Sequence, residues 1–155
     1  MSEPIISVTH AALAAGIDAA ERSMPSETGG VLAGWRTADG IHVVMMLEVP
    51  SSKAMQSSYV RSQRRADAAL RRYLKEQTPR SELIGYVGDW HSHPAPQVAS
   101  RTDLASIAEF ARNDGLPVGL LVLVRSEQWE PDGWHAAATG GRVRVQNAVV
   151  GTVDH

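Results

Sequence analysis

No cysteine occurs in the 155 residues, which excludes disulfides, thiolate-bound zinc and a cysteine nucleophile. Long apolar runs are also missing. The longest, Leu116 to Val124, is far too short for a membrane-spanning helix, which takes about 20 residues. Charge of one sign is not in excess either: 15 Lys and Arg against 17 Asp and Glu leave a formal net charge of -2. That balance gives no global signal for nucleic acid or an anionic membrane. A local cluster of Arg61, Arg64, Arg65, Arg71 and Arg72 reads as the solvated face of a helix. The opening MSEPIISVTH has neither the basic region nor the apolar core of a signal peptide, so the expected compartment is the cytoplasm. No repeat, low-complexity tract or linker interrupts the chain. One domain over residues 1–155 is expected, large enough to bury about 70% of its unfolded surface.

What is present is a regular alternation of elements. Thr9 to Met24 is alanine-rich, with Leu13, Ile17 and Ala20 at helical spacing, Thr9 as N-cap and Pro25 as the stop. Strands are expected over Gly29 to Trp35 and Ile41 to Val49, joined by a turn at Asp39-Gly40. Tyr59-Val60 reads as a further short strand, Arg61 to Gln77 as a second helix, and Thr78-Pro79 as its breaker. Leu83 to Trp90 is apolar and β-prone, Asp103 to Asn113 is a third helix, and Pro117 to Val124 is a strand covered on both faces. Glu130 to Thr139 and Arg142 to Val150 form a hairpin around Gly140-Gly141. Strands alternating with helices, several hairpin-connected, predict an α/β fold: one mixed central sheet flanked by about three helices.

The stretch Gly88 to Asp103, GDWHSHPAPQVASRTD, carries the chemistry. Side chains at i and i+2 of a strand share a face, so His91 and His93 project together at the end of the Leu83 strand. Ser100 and Asp103, three apart at a helix start, share one side of its first turn. Two imidazoles and a carboxylate make a three-ligand set of the kind catalytic zinc uses, with the fourth position left to water. Ser100-Arg101-Thr102-Asp103 also reads as an ordinary helix start, with Ser100 as N-cap. Asp89 shares the face of His91 and is a candidate acceptor for its second ring N–H. Trp90 points the other way, into the core. His10, His42, His135 and His155 have no partner at ligand spacing.

These residues resemble the JAMM/MPN+ metalloproteases, in particular the compact prokaryotic JAB-type members. The pattern is an upstream Glu followed by Thr-Gly-Gly, then His-x-His-Pro, then Ser-x-x-Asp. Here it is Glu27 with Thr28-Gly29-Gly30, His91-Ser92-His93-Pro94 and Ser100-Arg101-Thr102-Asp103, and the resemblance covers essentially the whole chain. The gap from His93 to Asp103 is one residue shorter than in the eukaryotic enzymes, as prokaryotic members often have it. Ala99 stands where many of those members place a proline. Neither change removes a chemical group.

The resemblance implies a single MPN (JAB) domain holding one Zn2+ per chain through His91, His93 and Asp103. It implies Glu27 as general base and Ser100 as donor to the scissile carbonyl oxygen; Glu48, which lacks the glycines that follow Glu27, is the runner-up for the base. The glycines after Glu27 would let the backbone pass close to the metal. The implied activity is cleavage after the C-terminal tail of a ubiquitin-like protein, in a bacterial conjugation or antiphage defence operon. The implied partners are that protein or its conjugate, with the activating and conjugating enzymes of the same operon, and neither nucleic acid nor membrane. Alternatives are a sulfur-carrier processing peptidase, a non-catalytic MPN scaffold and a RadC-like protein. The last usually carries Thr-His-Asn-His-Pro-Ser-Gly where this chain has Trp90-His91-Ser92-His93-Pro94-Ala95-Pro96.

Overall fold

A computed structural model of the chain describes residues 2–51, 61–77 and 82–154. Tyr59-Val60, Thr78-Pro79 and His155 therefore lie outside the described residues. The order is β1 (Ile5–Thr9), α1 (His10–Ser23), β2 (Gly29–Arg36), β3 (Gly40–Glu48), α2 (Gln63–Glu76), β4 (Gly85–His93), α3 (Arg101–Asp114), β5 (Val118–Arg125), β6 (Trp129–Thr139) and β7 (Arg142–Val153).

All seven strands join in the order β1-β3-β2-β4-β5-β6-β7, and the ends meet to close a barrel. The expectation of a central sheet flanked by helices is corrected here. Strand directions are mixed, as expected: β1 runs parallel to β3 and to β7, and β4 parallel to β5, while the other neighbours are antiparallel. Closure depends on β1, for which the sequence carries no strong signal. Ile5 to Thr9 is five residues long, and Thr9 at its end serves α1 as N-cap, accepting the Ala12 N–H at 3.0 Å. Its strand character comes from pairing with Gly40–Val43 on one side and Val149–Val153 on the other.

Alternation along the strands sorts the side chains into an interior and an exterior. Every strand sends at least one apolar residue to a single cluster, among them Ile6, Leu32, Val43, Trp90, Leu121, Trp129 and Val150. The small face of α1, Ala12, Ala19 and Ala20, packs into the same cluster. A Cβ at Gly16 would stand 2.7 Å from the Met46 methyl, so that flexible side chain would have to shift. Outside, α3 lays Ile107 and Ala111 on Val118, Leu120 and Val122 of β5 and on Ala136 of β6, so β5 is covered on both faces, as its apolar run predicts. Helix α2 lays Ala66 and Ala69 on Val31, Leu47 and Val49. The β6–β7 turn falls on Gly140 and Gly141, at φ of 59° and 81°. Two successive left-handed residues are what a tight hairpin turn with the sheet's own twist requires.

Candidate metal centre

Trp90 is fully buried in the barrel and donates its indole N–H to the Leu47 carbonyl at 3.0 Å. Asp89, His91 and His93 consequently point out of the barrel, toward the side covered by α2 and α3. The stretch after His93 turns back, and its Gln97 carbonyl lies 2.6 Å from His93 Nδ1. A carbonyl can only accept, so Nδ1 carries the proton and neutral His93 has its lone pair on Nε2. The loop is anchored on β6, where the Asp132 carboxylate accepts the Ala99 N–H at 3.1 Å and the Trp134 indole N–H at 3.0 Å.

The chain then enters α3 through a capping box. Ser100 Oγ accepts the Asp103 N–H at 3.1 Å, and Asp103 Oδ2 accepts the Ser100 N–H at 2.7 Å. That reciprocal pair orients the Asp103 carboxylate toward the histidines. Its Oδ1 lies 3.2 Å from His91 Nε2 and its Oδ2 3.7 Å from His93 Nε2. Ligand atoms around a tetrahedral zinc, each about 2.1 Å from the ion, lie about 3.4 Å apart. The donor set fits such an ion in type, and the two carboxylate-to-imidazole distances lie near that spacing. Among the described residues, His91, His93 and Asp103 are the one group of three or more potential ligands with atoms mutually within 4.8 Å. Burial pushes the Asp103 carboxyl up, but the hydrogen bond and charge of His91 and the bonds from Ser100 outweigh it and hold the group down at about 2. It is thus ionised and ready to bind a cation at neutral pH.

Glu27 is half-buried. Gly29 pairs with His91 at the end of the β2–β4 ladder, and Glu27 lies two residues before that pair. Ser92, the residue between the histidines, points inward and locks this junction. Its Oγ accepts the Thr28 N–H at 3.0 Å, and its own N–H donates to the Thr28 carbonyl at 2.8 Å. Sequence reasoning missed Ser92; a small hydroxyl between two outward histidines was the available signal.

The glycines after Glu27 have a steric reason, which is the close approach of neighbouring strands and not of the metal: Gly30 faces the Leu47 carbonyl of β3, and Gly29 faces β4. A Cβ on Gly29 would stand 2.4 Å from the Trp90 carbonyl oxygen and 2.8 Å from His91 Cβ. Gly29→Ala should push β4 and His91 outward, weakening zinc binding at least about tenfold and lowering the melting temperature by several degrees, as overpacking does. Calorimetry and metal analysis on the same sample check this.

The remaining candidates fall into place. Glu48 accepts the Thr28 hydroxyl at 2.7 Å and an Arg22 N–H at 3.4 Å. His42 is buried, 2.7 Å from the Ser7 hydroxyl and tilted against the Trp35 ring, and His10 is exposed beside Asp154. Asp89 is held by two other groups: its Oδ2 accepts from Arg61 Nε and its Oδ1 from the Tyr86 hydroxyl. Burial pushes the Asp89 carboxyl up while Arg61 and Tyr86 work against it. Burial and the Asp89 charge push the Tyr86 phenol up, so it remains a donor.

The model of prokaryotic homologs of the JAB domain matches residues 9–139. The chain belongs to this family. No curated protein matches it. Among solved structures, it is similar to protein DSY2949 from Desulfitobacterium hafniense, at a TM-score of 0.70 and 15% identity, over 97% of this chain and 94% of the other. At that identity the likeness is one of fold. The matched stretch of the family model includes Glu27, both histidines, Ser100 and Asp103. No helix among the described residues is long and apolar enough to cross a membrane.

Proposed function

We propose that this JAB-domain protein is a zinc-dependent isopeptidase or peptidase that cuts after the C-terminal tail of a ubiquitin-like protein. One observation carries the reading: two imidazoles and an ionised carboxylate converge from β4 and α3, 3.2 and 3.7 Å apart, with one imidazole already held in the tautomer that presents its lone pair. Glu27, two residues before the Gly29–His91 pair, would supply the carboxylate the chemistry needs. His91, His93 and Asp103 would hold a zinc ion, which would supply Lewis acidity to the attacking water.

The chain's own groups carry the proton and the charge. Glu27 takes the proton from the attacking water and returns it to the departing amine, as one residue can act as base and then acid. Ser100 donates a hydrogen bond to the carbonyl oxygen as it gains charge. Its role as N-cap leaves this open: capping uses an oxygen lone pair, and the hydroxyl proton stays available.

The direct test is chelation. Dialysis against a strong zinc chelator should abolish cleavage of a ubiquitin-like fusion or conjugate, and about one equivalent of zinc should restore it. Persistent cleavage by zinc-free protein would overturn the reading. Ser100→Ala should keep zinc and lose about 100-fold in turnover, with about 1 kcal/mol of stability lost with the cap. If melting temperature falls but turnover is unchanged, the serine is a cap and nothing more.

A further inference from the structure

Arg61 stands just ahead of α2 and reaches both elements that carry the metal ligands. Its Nε donates to Asp89 of β4, two residues from His91 on the same outer face. Its guanidinium carbon lies 4.6 Å from the centre of the Phe110 ring of α3. Phe110 follows Asp103 by about two helical turns. The same guanidinium lies 5.9 Å from the Tyr86 ring, and Tyr86 gives its hydroxyl proton to the other Asp89 oxygen. Nη1 donates to Gln63 at 2.7 Å, at the start of α2. The Arg61 and Asp89 side chains are 9% and 12% exposed, so this is a buried ion pair. Arg61, Asp89, His91, Asp103 and Phe110 all border one cavity of about 290 Å³.

A buried ion pair is weak evidence for stability, because desolvation offsets the attraction; its best-attested use is to fix a register. A register needs fixing here. Helix α3 packs mainly on β5, β6 and β7, yet its Asp103 must sit within a few tenths of an ångström of the right place relative to histidines on β4. Arginine suits a brace at that point: its planar head can stack on a ring while its edge donates to a carboxylate, which lysine cannot do.

We propose that Arg61 is a positioning residue of the metal centre, setting the spacing of α3 from β4 through Phe110 on one side and Asp89 on the other. The inference rests on His91, His93 and Asp103 being the zinc ligands. It places a determinant of zinc affinity on the segment leading into α2, which contributes no ligand.

The test is zinc affinity, measured by competition with a chelator of known strength, alongside melting temperature. Arg61→Gln should bind zinc about 10- to 100-fold more weakly, the usual range for groups that orient ligands. Arg61→Lys should recover only part of that loss. Phe110→Leu, which leaves the ion pair intact, should cost about tenfold and decides the matter if Arg61→Gln does not fold. Leu13→Ala, on α1 against the inner cluster, is the control: it should melt earlier and bind zinc as the wild type does. Wild-type zinc affinity in both Arg61→Gln and Phe110→Leu, or in Phe110→Leu where Arg61→Gln does not fold, would overturn the proposal. Loss of zinc in Leu13→Ala in proportion to its melting temperature would overturn it too, since Arg61 would then act through stability alone. A wild type that takes up no zinc would remove the ligand assignment itself, a result recognisable before any variant is made.

Discussion

Glu27→Gln should yield a folded, zinc-loaded protein that cleaves its conjugate about 100- to 10,000-fold more slowly, the range that general acid–base catalysis contributes. Glutamine keeps the size and hydrogen-bonding reach of glutamate but cannot take a proton from water. The ligand set should not notice the change. Glu27 is outside the group of mutually close ligand atoms, and the backbone beside it is held by Ser92 and Thr28 whatever the side chain. Substrate held away from the base should still bind, so the variant should trap a conjugate that the wild type releases. The measurements are single-turnover cleavage, zinc content and a pull-down from cells expressing the ubiquitin-like protein. Equal cleavage by the variant and the wild type would sink the mechanism. Loss of zinc would instead make Glu27 a ligand, and Glu48 would become the first alternative base, although it is occupied by Thr28 and Arg22.

Removal of any one ligand should have the larger effect on the metal. His91→Ala and His93→Ala should each take zinc content from about one per chain, the expectation for a three-ligand site, to near zero, with cleavage falling to background. His93→Ala also strands the Gln97 carbonyl and should loosen the loop that follows. Asp103→Ala removes a ligand and half of the capping box together, so about 1 kcal/mol of stability should go with the zinc. In zinc-free protein the sign of the pH effect follows from the depressed carboxyl. A group held at about 2 in the folded chain, against about 3.9 when unfolded, stabilises the fold above the ordinary carboxylate range. That contribution is lost as pH falls toward 2. Zinc-free Asp103→Ala should therefore lose less stability than wild type between about pH 5 and pH 2. Elemental analysis and acid denaturation check these outcomes. Wild-type zinc occupancy in either histidine variant would dismiss the site.

Much of the local structure was legible in advance because each element carries its own periodicity and punctuation. The three helices begin and end within about two residues of the positions read from spacing and caps, and the Gly140-Gly141 and Asp39-Gly40 turns are where turn chemistry puts them. The pairing of His91 with His93 follows from strand alternation, and the approach of Asp103 was suggested by its place at a helix start. Short β1 went unseen because it has no pattern of its own; it is a strand by virtue of partners about 35 and 144 residues further along.

What the sequence by itself determined is the set of groups able to do chemistry and their local facing: two outward imidazoles, a carboxylate in the first turn of α3, an upstream glutamate followed by glycines. Tertiary structure decided whether the sheet stays open or closes, which carbonyl sets the His93 tautomer, and where Asp89 spends its two oxygens. It also brought Arg61 against both β4 and α3. The reason is physical. Alternation and helical spacing act over a few residues and are written in neighbouring positions. Barrel closure and a buried ion pair join residues tens of positions apart, and their free energy appears only once the intervening chain has folded.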